Sequence, residues 1–206
     1  MLTFDETTHS YFWNGVKVPG VTSILADFIK VEIGGYRYHV NRHTGQAIAS
    51  DVMEEAAAKG KDIHEGSRII ANGGLDWSAL DGAYVGPLKQ FEKWLADIQP
   101  QILYTEAPFY SVRYGYAGTI DIIASIGKAL CFIDIKTGES DSVGPQLAAY
   151  EWGWTEQEKY RGKTERWVLK LPKNGDPYKF QKLDGKNDFD YFRSCLFQHN
   201  YKKGAK

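Results

Sequence analysis

The sequence predicts an α/β fold in which a mixed central β-sheet is flanked by helices. Between residues 131 and 136 apolar and polar side chains alternate with the period of two that is typical of a β-strand. Between residues 85 and 98, by contrast, the apolar side chains recur at helical spacing. The chain has 206 residues, of which 43% are hydrophobic, so it can bury a substantial core. We therefore expect one domain over residues 1–206.

The N-terminal region is predicted to start with a β-hairpin at about residues 9–19. Asn14-Gly15 forms its turn, because this pair accepts the positive φ angles of a type I′ turn. A short helix is expected to follow at Val21–Leu25.

A long helical region is expected from about Tyr36 to Asn72, after a pair of glycines and with an interruption near Gly45. Within it, Ala56, Gly60 and His64 recur every four residues and therefore lie on one helix face. The two small residues allow a neighbouring element to approach the histidine.

The central part of the chain is predicted to form the sheet. A helix over residues 85–98 ends before Pro100, and three strands follow, separated by turns short enough to make antiparallel neighbours. These strands are expected at Ile102–Val112, Tyr116–Ile126 and Ala129–Ile135. The remaining elements are expected to be a helix at about Gly144–Lys159, strands at Arg166–Leu171 and about Tyr178–Leu183, and a last helix at about Asn187–Tyr201.

The composition excludes several classes of protein. Two cysteines, Cys131 and Cys195, are too few for a disulfide framework or for an iron–sulfur cluster, so we expect neither. No run approaches the roughly 18 apolar residues of a membrane span, and the first residues lack the order of a signal peptide. We expect a cytoplasmic protein, or one of the host cytoplasm if a phage encodes it, with no membrane partner.

The charge is unevenly distributed along the chain, although its net value is only −1. The basic C-terminal region, about residues 161–206, holds 12 Lys and Arg against 5 Asp and Glu, a net charge of +7, whereas residues 1–160 carry −8. Such a region is suited to contact with phosphates. Ordinary surface charge explains the same composition, so both interpretations stay open for the lysines at positions 170, 173, 179 and 182.

Three charged residues of the central strands indicate a metal site. Asp121 and Asp134 lie 13 positions apart on adjacent predicted strands, so hairpin pairing can bring both carboxylates to one divalent ion. Lys136 shares a strand face with Asp134 and would therefore project beside the same site. Such a site supplies what phosphodiester hydrolysis needs, namely an activated water and stabilisation of negative charge.

The order of these residues resembles the PD-(D/E)xK nuclease superfamily, and specifically its RecB-like exonuclease branch. The residues that carry the resemblance are Val18–Leu25, His64 within Gly60–Glu65, Glu106, Asp121, Asp134-Ile135-Lys136 and Gln146–Tyr150. It covers residues 9 to about 172. The resemblance implies a restriction-endonuclease-like core that holds one or two Mg²⁺ or Mn²⁺ ions and cleaves DNA.

The resemblance also implies a role for each residue. The implied metal ligands are His64, Asp121, Asp134 and the backbone carbonyl of Ile135. The implied catalytic residues are Asp121, Asp134, Glu106 and Lys136, with Lys136 as the base or the electrostatic partner. Gln146 would face the substrate phosphates, and Tyr150, one helical turn later, would help to position the strand or the helix. Glu106 would bind a second metal, hold the attacking water, or pair with a basic neighbour.

The chain departs from the family pattern in two respects. Ile120 stands where a proline usually precedes the first acid, and the four-cysteine cluster and helicase domains of some relatives are missing. From these absences we expect a stand-alone nuclease.

We therefore expect a metal-dependent deoxyribonuclease, most simply an exonuclease of recombination, repair or phage DNA processing. A flap-type endonuclease with the same site, and a catalytically silent DNA-binding module, remain open as alternatives. DNA is the expected partner, together with further copies of the chain or a recombination or replication protein.

Overall fold

The computed structural model describes residues 1–26, 28–41 and 45–204. Its first element is a three-stranded antiparallel sheet of β1 (Leu2–Asp5), β2 (Ser10–Trp13) and β3 (Val16–Val18). The turn between β2 and β3 has φ angles of 50° at Asn14 and 80° at Gly15. Both angles are positive, as a type I′ turn requires, so the predicted hairpin is confirmed. The short helix α1 (Val21–Ile24) also lies where the sequence predicts it.

A second three-stranded antiparallel sheet replaces the first part of the long helix predicted from Tyr36. It consists of β4 (Phe28–Ile33), β5 (Tyr36–Asn41) and β6 (Ala47–Ala49). The physical reason is that Gly34 and Gly35, with φ angles of 59° and 81°, make a two-residue hairpin turn between strands rich in β-branched and aromatic residues. The helical prediction was wrong up to residue 49, apart from residues 42–44, which lie outside the described residues.

Helix α2 (Ser50–Ala71) contains His64 and ends where the sequence predicts, before Gly73 with its φ of 86°. Helix α3 (Gly82–Ile98) begins three residues before the predicted start. Asp81 explains the earlier start, because its carboxylate accepts the N–H of Ala83 at 2.8 Å and so caps the helix.

The central sheet has five strands in the order β11-β10-β9-β8-β7. The strands are β7 (Gln101–Ser111), β8 (Tyr116–Ile126), β9 (Ala129–Lys136), β10 (Thr164–Lys170) and β11 (Lys179–Leu183). Strands β9 and β10 are parallel and are joined by helix α4 (Val143–Gln157), whereas the other pairs are antiparallel. The predicted strands and their antiparallel hairpins are therefore confirmed.

Two hydrophobic clusters cover the two faces of this sheet. Phe132 of β9 packs in the cluster that includes α1, α4 and the last helix, α5 (Asp188–Gly204). Its neighbours Cys131 and Ile133 belong to the other cluster, with α2 and α3. The alternation along β9 thus decides which helices lie on each face. The predicted mixed sheet flanked by helices is confirmed, and Cys131 is buried as expected.

The N-terminal sheet is attached to the central sheet beside β8. Ala117 donates its N–H to the carbonyl of Pro19 at 3.0 Å, and Trp13 stacks on Tyr110 with ring centroids 4.3 Å apart. These contacts place the N-terminal sheet against β8 and the edge strand β7 of the central sheet. Within the described part of the chain, no helix combines the length and apolar character needed to cross a membrane.

Candidate metal centre

Three acidic residues, here called the acidic row, lie side by side across three neighbouring strands. The register of β7 and β8 places Glu106 opposite Asp121, between two regular pairs. The register of β8 and β9 ends at Ile122↔Ile133, so Asp134 lies one step beyond, again opposite Asp121. Because neighbouring strands are about 4.8 Å apart, carboxylates in one row lie close to one another.

Helix α2 adds a histidine to two members of the acidic row. His64 Nδ1 lies 3.5 Å from Asp121 Oδ2, and one ligand atom from each of His64, Glu106 and Asp121 lies within 4.8 Å of the other two. We call these three residues the His64 cluster. Gly60 marks where α2 lies against the segment just beyond β9, because a Cβ there would be in ordinary contact with Thr137 Oγ1 at 3.4 Å.

Asp121 also contacts the backbone of the next strand. Its Oδ2 accepts the N–H of Ile135 at 2.7 Å. In an extended strand the N–H and C=O of one residue point to the same side, so we expect the carbonyl of Ile135 to face β8 as well. That geometry agrees with the role the resemblance implies for this carbonyl.

Asp134 belongs to a second, adjacent group rather than to the His64 cluster. Its side chain is only 1% exposed, and its Oδ2 lies 2.7 Å from Lys136 Nζ. Gln146 of α4 donates from Nε2 to Asp134 Oδ1 at 2.7 Å and accepts from Lys136 Nζ at 3.3 Å. The same Nε2 lies 3.0 Å from the hydroxyl of Tyr150. The structure therefore joins buried Asp134, Gln146 and Tyr150 with the partly exposed Lys136 in one polar network.

The electrostatics of the His64 cluster reflect the crowding of its carboxylates. Burial favours the neutral imidazole, but the negative charge of Asp121 outweighs it and raises the pKa of His64 to about 9. Burial of the carboxyl group, together with the charge of Asp121, raises the pKa of Glu106 to about 7. Burial opposes the ionisation of Asp121 itself, yet the charges of His64 and Lys136 hold its pKa below the ordinary value.

Burial and neighbouring charges also shift the pKa values of Asp134 and Tyr150 in the second group. Burial raises the pKa of the Asp134 carboxyl although the ammonium of Lys136 opposes the shift. Burial also raises the pKa of Tyr150 well above its ordinary value, so its hydroxyl stays protonated. The carboxyl groups of Glu106 and Asp134 thus favour protonation, whereas that of Asp121 favours ionisation.

The donor set fits a divalent cation. An imidazole nitrogen and two carboxylates are ligands that Mn²⁺ accepts, and carboxylate and carbonyl oxygens are those that Mg²⁺ prefers. A cation there would add positive charge beside the carboxylates of Glu106 and Asp121, which lie close together in this cluster. The residues therefore fit the metal that the sequence predicts, with Glu106 as a further candidate ligand beside His64 and Asp121.

Sequence reasoning missed Tyr11 of β2, which lies at the same site. Its hydroxyl lies 2.9 Å from Thr119 Oγ1, two residues before Asp121. Burial, and to a smaller extent the charges of Glu106 and Asp121, raise the pKa of this tyrosine. The hairpin signal predicts the strand that contains Tyr11, but no local pattern predicts a contact between residues 108 positions apart.

The site residues named from the sequence thus fall into two neighbouring groups, one around His64 and one around Gln146. Comparison with protein-family models gives no match, and comparison with curated proteins gives no significant match. The function of this site must therefore be argued from its geometry and its chemistry.

Proposed function

We propose that the protein is a Mg²⁺- or Mn²⁺-dependent deoxyribonuclease that hydrolyses DNA phosphodiester bonds. The observation that carries this proposal is the convergence of His64, Glu106 and Asp121 beside the buried Asp134–Lys136 ion pair. A cation-binding cluster with an ammonium group alongside suits the negative charge that develops on phosphorus during hydrolysis.

The arrangement of the strands supports a restriction-endonuclease-like core for this enzyme. Three antiparallel strands, β7, β8 and β9, carry the acidic row, and α4 then leads to the parallel strand β10. The site lies where β8 and β9 leave their regular register, so acidic side chains and backbone groups are both available there. This is also the order of motifs on which the resemblance to the RecB-like branch depends.

The His64 cluster would hold the ion, with the carbonyl of Ile135 as a further ligand. When bound, the ion would help to activate a water molecule and to neutralise the phosphate in the transition state. Asp134 holds the ammonium of Lys136 at 2.7 Å. In that position Lys136 would orient the attacking water or stabilise the charge that develops on the phosphate.

Gln146 and Tyr150 of α4 position the side chains of Asp134 and Lys136. Gln146 contacts Asp134 and Lys136 with opposite ends of its amide, so it fixes both groups relative to the sheet. The Tyr150 hydroxyl contacts the amide nitrogen of Gln146 and so orients the amide. In the bound state we expect Gln146 to exchange one of these contacts for a phosphate oxygen of the substrate.

Release of nucleotides from linear DNA tests the proposal. We expect the wild-type protein to release them only when Mg²⁺ or Mn²⁺ is present. Asp121→Asn and Lys136→Ala should each lower the rate at least about a hundredfold, the scale seen when one group that stabilises the transition state is removed. Lys128→Ala is the matched control, because this exposed lysine lies in the turn at the opposite end of β9. Equal activity of Lys136→Ala and Lys128→Ala would exclude the assigned site.

A second substrate separates the exonuclease from its alternatives. Closed circular single strands have no end, so an exonuclease leaves them intact whereas a flap-type endonuclease cuts them. DNA binding without metal-dependent turnover of either substrate would identify a catalytically silent binding module instead. We propose the exonuclease because the resemblance in the motif order is to the exonuclease branch.

A further inference from the structure

A row of three lysines crosses the sheet next to the acidic row. Lys136 of β9 is paired in register with Lys170 of β10, and Lys170 is paired with Lys179 of β11. Residues directly opposite each other on neighbouring strands point to the same face. We call these residues the lysine row. At about 4.8 Å per strand, it extends about 10 Å from the metal site towards the edge strand β11.

The lysine row lies on the sheet face that Asp134 also uses. Asp134 and Lys136 are two residues apart on β9 and therefore share a face. On β10, Leu169 and Leu171 pack with α2 and α3, so Lys170 between them points to the opposite face, the side of α4. The row is accessible to solvent, because the Lys136 and Lys170 side chains are 22% and 26% exposed and Lys179 is exposed.

Like charges directly opposite each other on neighbouring strands are destabilising. The three ammonium groups of the lysine row are therefore expected to bind anionic groups. Lys136 lies against Asp134, which belongs to the site. Lys170 contacts Glu139 at 2.6 Å, and the charge of Lys179 also acts on this glutamate. Glu139 follows β9 in the segment before α4, and its side chain is 88% exposed. This carboxylate is an easily displaced partner, because exposed ion pairs are weak.

The opposite face of the same strands shows how structural lysines are arranged. There Lys163 and Lys182 flank one carboxylate, and each ammonium lies 2.8 Å from Glu165 Oε1. Glu165 is only 13% exposed, so this arrangement is partly buried and neutralised within the fold. The lysine row has no such buried carboxylate beyond Asp134 among the contacts described.

We infer that the lysine row is a binding track for the phosphate backbone of a DNA strand, leading from the reacting phosphate at Lys136 past Lys170 to Lys179. This inference rests on the proposed function, which places the reacting phosphate at Lys136. The ammonium groups of Lys170 and Lys179 contact the phosphates that follow. Glu139 occupies a phosphate position when DNA is absent and is displaced when the strand binds.

Binding of a fluorescein-labelled 20-nucleotide single strand, followed by fluorescence anisotropy in EDTA, tests the track without hydrolysis. The variant that combines Lys170→Gln and Lys179→Gln should bind about tenfold more weakly at moderate salt, and its slope of log affinity against log salt should be smaller by about 1.4. Lys182→Gln is the control for position, because it removes one charge from β11 on the other face, as Lys179→Gln does on the face of the lysine row. Its affinity should stay within about twofold of wild type.

Two further variants test the mechanism of the track. Glu139→Gln removes the competing carboxylate, so it should bind the strand about threefold more tightly. Replacing Lys170 and Lys179 by arginine keeps both charges and should restore the wild-type affinity. Unchanged affinity in the double glutamine variant, or an equal loss in Lys182→Gln, would overturn the inference. So would weaker binding by Glu139→Gln.

Cleavage assays on the same proteins separate a failure of the track from a failure of the proposed function. If the track is right, the double glutamine variant should cleave with a raised KM and with kcat close to the wild-type value. A wild-type protein that cleaves DNA while the double variant shows the wild-type KM and affinity overturns the track alone. A wild-type protein that binds the strand through the lysine row but never cleaves DNA overturns the proposed function.

Discussion

The carboxylate of Asp121 accepts the backbone N–H of Ile135 at 2.7 Å, across the gap where β8 and β9 leave their regular register. A side chain here replaces the strand partner that the backbone would otherwise provide. The same oxygen lies 3.5 Å from His64 Nδ1. Asp121 therefore has two roles, since it completes the hydrogen bonding of the sheet and belongs to the His64 cluster.

Replacing Asp121 by asparagine or by alanine separates these roles. Asparagine keeps an oxygen that can accept the N–H of Ile135, whereas alanine leaves this buried donor without an acceptor. We expect Asp121→Ala to be less stable than Asp121→Asn by about 1–3 kcal/mol in urea unfolding. Both variants should lose Mn²⁺ binding measured by calorimetry. Equal stability of the two variants would show that the contact with Ile135 contributes nothing to folding.

Gln146 and Tyr150 should have unequal effects when altered. Gln146→Leu removes the amide that contacts both Asp134 and Lys136, so we expect a loss of about 1–3 kcal/mol in stability and a large fall in cleavage rate. Tyr150→Phe removes a single hydrogen bond to the amide of Gln146, with an expected loss of about 1 kcal/mol. Urea unfolding and cleavage rates measure both effects. A larger rate loss in Tyr150→Phe than in Gln146→Leu would contradict this order.

The sequence predicts the central sheet well because its signals are local. The alternation in β9 and the short turns between β7, β8 and β9 place these strands within a few residues of their observed limits. The second sheet, β4–β6, shows the limit of this reasoning. Gly34-Gly35 resembles a break between helices as much as a hairpin turn, and only the pairing of the flanking strands decides between them.

The site itself is only partly predictable, because it depends on register. The sequence places Asp121 and Asp134 on adjacent strands, and the structure confirms that these strands pair. Whether Glu106 joins the cluster depends on an irregular backbone in β7 that no local pattern signals. The sequence offers Lys170 and Lys179 as candidates for phosphate contact, but it does not predict that they align with Lys136, because the three residues come from three strands in parallel and antiparallel pairs.

Glu165 should give the protein a measurable dependence of stability on pH. Hydrogen bonds from Lys163 and Lys182 lower the pKa of Glu165 to about 2, below its ordinary value of 4.5. A group with a lowered folded pKa stabilises the protein above the unfolded pKa, and this stabilisation is lost as the pH falls. Glu165→Gln should therefore destabilise the protein at pH 7, by about 1 kcal/mol since both lysines are partly exposed and screened.

The difference between wild type and Glu165→Gln should shrink as the pH falls below 4.5 towards 2. Urea unfolding between pH 7 and pH 3 measures it. Glu54→Gln on the exposed face of α2 is the control, and we expect a small difference from wild type across this range. A difference for Glu165→Gln that is constant with pH would show that its charge is not the cause.

Replacing Glu106 should have separate effects on stability and on metal binding. Its φ of 50° lies in the left-handed region, which costs an L-residue with a Cβ about 1 kcal/mol. We expect Glu106→Gly to be more stable than Glu106→Ala by about this amount in metal-free urea unfolding. Both variants lose a ligand of the His64 cluster, so both should bind Mn²⁺ at least about tenfold more weakly in calorimetry.

Lys159 provides the matched control, because its φ is 52° and it lies just after α4. Lys159→Gly should likewise exceed Lys159→Ala in stability by about 1 kcal/mol, since the backbone conformation is the same. Both Lys159 variants should bind Mn²⁺ as tightly as wild type. Unchanged Mn²⁺ affinity in Glu106→Gly would show that the strained glutamate is not a ligand, and the cluster would then reduce to His64 and Asp121.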